Sequence, residues 1–173
     1  MTLKYKIKFL DYFHIGSGLS AGAKLDNSVL KDNNNLPVIG GKTIKGLARE
    51  MAEHLKNDAF VGTCFGSEGV DMGSCYFSNA TLSKNEQSEI ISHKLQDNLY
   101  EEMAFTKIDE KGMAVDGSLR EIEVTIPLTL EGTIDDLSSE YVEAMSRSLK
   151  MIKRMGLNRT RGLGRCEITV EVA

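Results

Sequence analysis

The chain has 173 residues, of which 41% are hydrophobic and 27% are charged, and this composition suits one soluble domain with a real core. It contains no long apolar run and no signal-peptide pattern, so we expect a cytoplasmic protein with no membrane partner. Its three cysteines, Cys64, Cys75 and Cys166, are odd in number and lack CxxC spacing. This argues against a disulfide framework or a zinc site and favours the interpretation that the cysteines are small hydrophobic residues buried in the core.

Charge is distributed unevenly along the chain, although the formal net charge is only −4. The stretch from Arg147 to Arg165 carries seven basic residues and no acid, and the segment just before it, from Asp135 to Glu143, is acidic. A local basic surface can attract phosphate even on an acidic protein. The net charge therefore does not exclude a nucleic-acid partner.

The first predicted element is a half-buried strand over residues 3–13, because apolar and lysine side chains alternate there. A long loop rich in Gly, Asn and Asp follows, with a short strand predicted at 27–31. A helix is predicted from about Lys42 to Asn57, where apolar residues recur on one face. Glycines indicate a loop over residues 60–73, and residues 74–82 are predicted to form a strand.

The second half of the chain begins with polar residues 84–98, which predict an irregular or helical insertion. A hairpin-like projection follows at 103–118. Alternation predicts another long strand over residues 119–132, in which Pro127 indicates an edge position or a bulge.

A second helix is predicted to begin at Ser138 or Ser139, to run to about Met155 and to end at Gly156. The last predicted strand is RCEITVEV at 165–172. The order of elements is therefore strand, helix, strand, strand, helix, strand.

This order is that of the ferredoxin-like α+β fold, which RNA-recognition modules share. We expect a single domain over residues 1–173, with loop insertions. The largest insertion is expected at about 84–118 and includes the projecting hairpin.

The long loop and the helix start after it, from His14 to Arg49, suggest a phosphate-binding surface. Most loops in compact domains have about 4–6 residues, and much longer ones are usually functional or disordered. Lys42, Lys45 and Arg49 lie at the start of the predicted helix, where backbone N–H groups already favour anions. An ordinary solvated loop followed by a helix is equally consistent with the composition. A P-loop is not, because Leu36 occupies the position of its first glycine.

Two aspartates of this loop, Asp26 and Asp32, could each hold a metal or position a nucleophile for phosphodiester cleavage. The alternative is turn chemistry, because Asp commonly binds nearby backbone in loops. His14 could be a general base or a structural residue at a strand end. Arg159 and Arg161 lie in a second glycine-rich loop, and guanidinium groups pair well with phosphate. Aromatic residues make up only 6% of the chain, so base stacking is not the expected mode of recognition.

Seven motifs follow one another along almost the whole chain. They are IGSG at 15–18, LDNSVLKD at 25–32, LPVIGGKTIKGLARE at 36–50, FG at 65–66, YFSNATL at 76–82, FTKIDEKGMAVDGSLREIEVTIPL at 105–128 and GLNRTRGLGRCEI at 156–168. In order and spacing they resemble the CRISPR-associated RAMP superfamily, in particular the backbone subunit of type III effector complexes.

This resemblance implies that copies of the chain stack along a guide CRISPR RNA, beside other subunits of a type III effector complex. It implies that a thumb hairpin (residues 105–118), which includes Lys107 as an expected RNA contact, interrupts the duplex between guide and target RNA. The matching aspartate is Asp26, which would cut the target RNA with a divalent metal, Mg²⁺ or Mn²⁺. Two alternatives are a non-catalytic structural subunit of the same complex and a stand-alone repeat-RNA endonuclease that uses His14.

Overall fold

The computed structural model of the protein describes residues 1–18, 27–67, 69 and 71–172. The strands in these residues are β1 (Leu3–Phe9), β2 (Tyr76–Phe77), β3 (Tyr100–Phe105), β4 (Arg120–Thr125), β5 (Thr129–Asp135) and β6 (Cys166–Val172). The helices are α1 (Gly41–Glu53), α2 (Asp58–Phe65), α3 (Lys84–Ser92) and α4 (Val142–Met151). Short 3₁₀ turns occur at Gln96–Leu99, Ser139–Tyr141 and Arg159–Arg161.

Four strands form an antiparallel sheet in the order β2-β5-β1-β6. The register places Ile7 of β1 opposite Leu130 of β5 and Ile168 of β6. Helices α1 and α4 contact each other and share one hydrophobic core with the sheet. This strand order and helix placement confirm the predicted ferredoxin-like α+β fold.

The core follows the periodicity of the sequence. In β1 every second residue is buried, and the lysines between them are exposed. Helix α1 buries Ile44 and Ala48, and helix α4 buries Met145 and Leu149, so each presents the apolar stripe predicted for it. Strand and helix amphipathicity were therefore predicted correctly at the centre of the domain.

Strands β3 and β4 form a separate two-stranded sheet, which carries the thumb hairpin. Near its tip Ile108 pairs with Ala114, and the Asp109 carboxylate accepts hydrogen bonds from the backbone N–H groups of Lys111 and Met113. The base of the hairpin joins the main domain because Phe13 and Thr125 exchange backbone hydrogen bonds of 3.0 and 2.8 Å. The hairpin predicted at 103–118 is therefore present.

Helix boundaries differ from the prediction at α1 and α2. The helix predicted over Lys42–Asn57 ends at Glu53, and α2 occupies part of the loop predicted at 60–73. Asn57 caps α2 by accepting a hydrogen bond of 3.1 Å from the Phe60 backbone N–H. Because α2 buries its aromatic side chains in the core, tertiary packing outweighs the glycines that favoured a loop.

The strand predicted over 119–132 is two strands, β4 and β5, which belong to different sheets. Pro127 lies in the break, where it has no N–H to donate to a ladder. The helix predicted to reach Met155 ends at Met151, and Ile152 is already extended. Lys153 and Met155 instead pair with the chain around the start of β6, so Gly156 does not end the helix.

Three predicted strands are shorter than expected. The strand predicted at 3–13 ends at Phe9, and the strand predicted at 74–82 is only β2, followed by single bridges at Ala80 and Thr81. The segment 27–31 forms isolated bridges and not a continuous strand. Residues beyond these strands still form single pairs, such as Phe13 with Thr125 and Ala80 with Ile39, but no continuous ladder.

Candidate nucleic-acid interface

A basic cleft lies between the base of the thumb hairpin and the second glycine-rich loop. Its volume is about 530 Å³, and it is lined by Lys107, Arg120 and Arg161 together with Phe105, Thr106, Val115, Asp116, Gly117 and Ser118. Within the described part of the chain, the guanidinium groups of Arg120 and Arg161 form no ion pair or hydrogen bond. Among the described residues that line the cleft, Asp116 is the one acid.

A second cleft, of about 510 Å³, continues from the same arginines. Arg120 and Arg161 line both clefts, and the second also contains Arg159, Asn158 and Thr160. We call this continuous surface the basic groove, and its cations are Lys107, Arg120, Arg159 and Arg161. It joins residues more than 50 positions apart in the sequence, from Lys107 to Arg161. Three of these cations were predicted as RNA contacts, whereas Arg120 was missed because it begins an ordinary alternating strand.

Backbone contacts hold the glycine-rich loop (residues 156–164) against the segment that follows β1. The Leu157 N–H donates to the His14 carbonyl at 2.9 Å, and the Gly164 N–H donates to the Tyr12 carbonyl at 2.8 Å. Gly156 has a φ of 87°, and a Cβ there would lie 2.2 Å from the His14 carbonyl oxygen. The loop is thereby anchored at both ends while its arginines remain exposed.

The cations predicted at the start of α1 lie outside the basic groove and have different surroundings. Lys42 is exposed, Lys45 donates from Nζ to the carbonyls of Met72 (2.6 Å) and Cys75 (3.3 Å), and Arg49 pairs with Glu53 at 3.1 Å. Lys45 therefore fastens the chain before β2 to α1. Contact of these three cations with RNA stays a prediction.

Asp26, the predicted catalytic and metal-binding residue, lies outside the described residues. The residues on either side of positions 19–26 pair with each other, because Ser17 N–H donates to the Ser28 carbonyl at 3.0 Å. Asn27 is anchored on β4, since its carbonyl accepts a hydrogen bond of 3.1 Å from the Glu123 N–H. Asn27, the residue after Asp26 in the sequence, therefore lies beside the strand that carries the thumb.

Glu123 of β4 holds three parts of the chain together, and sequence analysis gave it no role. One carboxylate oxygen accepts from Lys31 Nζ at 2.6 Å, and the other accepts from the Val29 N–H at 3.0 Å. Its backbone carbonyl accepts from His14 Nδ1 at 2.6 Å. Lys31 Nζ also lies 3.8 Å from the centre of the Tyr100 ring, where the cation and the ring face attract each other. The pKa of Tyr100 is raised, chiefly because the side chain is buried. Alternation marks Glu123 only as a polar strand residue.

The remaining loop candidates, His14 and Asp32, have structural partners. His14 is 2% exposed, and because a carbonyl only accepts hydrogen bonds, the His14 Nδ1 carries a proton and donates to the Glu123 carbonyl oxygen. Asp32 accepts from the N–H groups of Asn34 and Leu36 at 2.8 and 2.9 Å, which is the turn chemistry expected as the alternative. Both residues thus make the structural contacts that were named as the alternatives, and a part of either in cleavage stays a prediction.

Metal-binding clusters and membrane-spanning helices are both absent from the described residues. No three His, Cys, Asp or Glu side chains among them are grouped so that they could hold a metal ion. No helix in the described ranges combines the length and apolar character needed to cross a bilayer.

The four-stranded sheet with α1 and α4 on it defines a ferredoxin-like α+β domain, from which the hairpin projects beside the basic groove. A sequence profile of the RAMP superfamily matches residues 6–167, and the chain belongs to that superfamily. No curated protein sequence is similar enough to count as a match.

Solved structures share the fold over nearly the whole chain. A chain from a cryo-EM structure of the type III-B Cmr-beta bound to cognate target RNA superposes with a TM-score of 0.76 at 12% identity. A chain from the apo state of type III-B Cmr-beta gives a TM-score of 0.75 at 13% identity. Each match covers 98% of this chain and 97% of the other. At such identities the similarity concerns the fold.

Proposed function

We propose that the protein is an RNA-binding subunit of a type III CRISPR effector complex and that it holds the guide RNA in the basic groove. The observation that carries this proposal is the convergence of Lys107, Arg120 and Arg161, with two guanidinium groups that lack partners among the described residues. Membership of the RAMP superfamily and the fold shared with chains of type III-B Cmr-beta support the same assignment.

The groove is suited to the RNA backbone more than to the bases. Guanidinium groups bind phosphate in a bidentate manner, and phosphate contacts fix position without reading sequence. Of the described residues that line the groove, one is aromatic, the half-buried Phe105, and it offers little surface for stacking. Guide RNAs of unrelated sequence should therefore bind equally well.

Salt-dependent binding to a labelled guide RNA tests the groove. Alanine in place of Lys107, Arg120 and Arg161 together should weaken binding and lower the slope of log K against log salt by about 2, or about 0.7 for each lost phosphate contact. Lys56→Gln is the matched control, because Lys56 is exposed between α1 and α2 and lines neither cleft. An unchanged affinity and slope in the triple variant, with its circular dichroism intact, would contradict the proposal.

The same proposal extends to cleavage of the complementary target RNA, with Asp26 as the catalytic residue. It is supported by the motif that contains Asp26 and by the anchoring of Asn27 beside the thumb strand β4. A divalent ion, Mg²⁺ or Mn²⁺, held by Asp26 would stabilise charge on the scissile phosphate, with RNA oxygens and water as its other ligands. No three His, Cys, Asp or Glu side chains of the described residues are grouped to hold a metal, and Asp26 is the residue that we propose as its ligand.

Single-turnover cleavage of a complementary RNA by the assembled complex tests this assignment. Asp26→Asn should slow cleavage about a hundredfold, the scale of removing a positioned catalytic group, and leave guide binding intact. Asp32→Asn is the matched control, because an asparagine oxygen can keep the turn that Asp32 now makes. Equal rates for wild type and Asp26→Asn would exclude Asp26. If the wild-type complex cuts nothing, the non-catalytic structural role replaces this proposal, and cleavage that survives EDTA would favour the stand-alone endonuclease.

A further inference from the structure

Two buried cysteines that are distant in sequence meet beside β2. Cys64 lies near the end of α2 and is 0% exposed, and Cys75 directly precedes β2 and is 3% exposed. The Cys75 N–H donates to the Cys64 carbonyl at 3.2 Å, and the Ser74 N–H donates to the Thr63 carbonyl at 2.8 Å. This direct backbone hydrogen bond makes the two cysteines close neighbours, as a disulfide between them requires.

Two glycines hold these segments in close contact. Gly66 and Gly73 both have positive φ values, 83° and 68°. A Cβ on Gly73 would lie 2.6 Å from the Cys64 carbonyl oxygen and 2.5 Å from the Gly66 nitrogen. Any larger residue would force the segments apart, so the glycines maintain the approach of the cysteines.

The two thiols interact and have different acidities. A hydrogen bond from Cys64 is the main cause of a lowered Cys75 pKa, and the nearby Lys45 cation adds to the effect. The same hydrogen bond and burial raise the pKa of Cys64. Cys166 differs, because burial raises its pKa to about 11 and no cysteine partner acts on it. The thiolate is the nucleophile in cysteine oxidation, so Cys75 is the thiol expected to react first.

We propose that Cys64 and Cys75 are a redox-active pair that closes to an intramolecular disulfide when hydrogen peroxide oxidises the protein. The Cys75 thiolate attacks one peroxide oxygen, the O–O bond breaks, and hydroxide leaves while Cys75 becomes a sulfenic acid. The Cys64 sulfur then attacks the Cys75 sulfur and the S–O bond breaks. Hydroxide leaves in each of the two steps, and each hydroxide takes up one of the two protons that the thiols lose. In sum, two thiols lose two electrons and one peroxide becomes two waters.

The disulfide would close a ring from Cys64 to Cys75 that includes the segment fastened by Lys45. Because it constrains the unfolded chain, such a ring should favour the folded state by about a hundredfold in the unfolding equilibrium. A thiol reductant should reverse the change. The link therefore makes the attachment of this sheet edge to α1 dependent on redox conditions.

Mass mapping of the peroxide-treated protein tests the proposal. Trypsin releases both cysteines in one peptide, from Asn57 to Lys84, and releases Cys166 in another. After denaturation and alkylation, the first peptide should carry no alkyl group and should be lighter than the reduced peptide by two hydrogen atoms. The Cys166 thiol should be alkylated. Met72 lies in the same peptide and is 88% exposed, so its sulfoxide, which adds one oxygen, reports that peroxide reached the segment.

Matched variants separate the pair from the third cysteine. Cys166→Ser should still form the disulfide, whereas Cys64→Ser should leave Cys75 without the internal link. The wild-type measurement decides the matter even if a variant fails to fold. The proposal is overturned if both thiols of the peptide remain alkylated when Met72 is fully oxidised, or if disulfides form only between chains.

Discussion

Replacing Glu123 by alanine should destabilise the protein far more than replacing an ordinary strand glutamate. The Glu123 side chain is 13% exposed and serves two donors, Lys31 Nζ and the Val29 N–H. Hydrogen bonds to charged groups contribute about 1.5–3 kcal/mol each, and Val29 is itself buried. The Lys31 side chain is 25% exposed and keeps its contact with the Tyr100 ring when Glu123 is removed. Leaving Lys31 without its counter-ion therefore costs less free energy than breaking a fully buried ion pair.

These contributions sum to about 3 kcal/mol, which corresponds to a decrease in Tm of about 6–12 °C for a domain of this size. Urea and thermal unfolding followed by circular dichroism would measure it. Glu131→Ala is the control, because Glu131 pairs with Lys6 at 4.0 Å on the exposed sheet face with 43% of its side chain accessible. Exposed pairs of this kind contribute about 0–1 kcal/mol.

A double-mutant cycle with Lys31→Met isolates the ion pair from the hydrogen bond to Val29. We expect a coupling energy of about 1–2 kcal/mol, between the values for exposed and buried pairs. A stabilising role of Glu123 is refuted if Glu123→Ala costs no more than Glu131→Ala, and the ion pair is refuted if the effects of the Glu123 and Lys31 substitutions simply add.

Two further predictions concern the glycine-rich loop and assembly. Gly156→Ala should destabilise the fold by more than about 1 kcal/mol, because its φ of 87° and the nearby His14 carbonyl both disfavour a Cβ. Gly162→Ala, with a similar φ of 91° but no atom within 4 Å of a Cβ, should cost less in the same denaturation assay. The protein should also form head-to-tail oligomers on RNA, because heterologous contacts propagate. Light scattering should show a mass that rises with RNA length, and one constant mass at every length would contradict this.

Local chemistry was sufficient to predict much of the fold. The alternation of β1 and the apolar stripes of α1 and α4 each depend on residues a few positions apart, and the structure confirms all three. The turn around Asp32 likewise needs only its own carboxylate and the next backbone N–H groups. Assignment to the RAMP superfamily followed from motif order along the chain, and the profile match confirms it.

Boundaries and partners depended on contacts that no local pattern encodes. The strand predicted across Pro127 divides because its two halves join different sheets. The first half, β4, pairs with β3, and the second half, β5, pairs with β1. The end of α4 is set by pairing with the chain around β6, which competes with continued helix. Element types were therefore more predictable than element ends.

The site depends in part on sequence and in part on tertiary structure. The exposed arginines of the glycine-rich loop stand out in the sequence because they lie in a basic run without acids. Arg120 joins them only because the base of the thumb packs near that loop, and Glu123 and the Cys64–Cys75 pair gain their partners in the same way. The sequence by itself determined which segments are amphipathic, which turns form and which loop is cationic, since these are properties of neighbouring residues. Tertiary structure alone decided which distant side chains meet, because that depends on how the sheet, the helices and the thumb pack together.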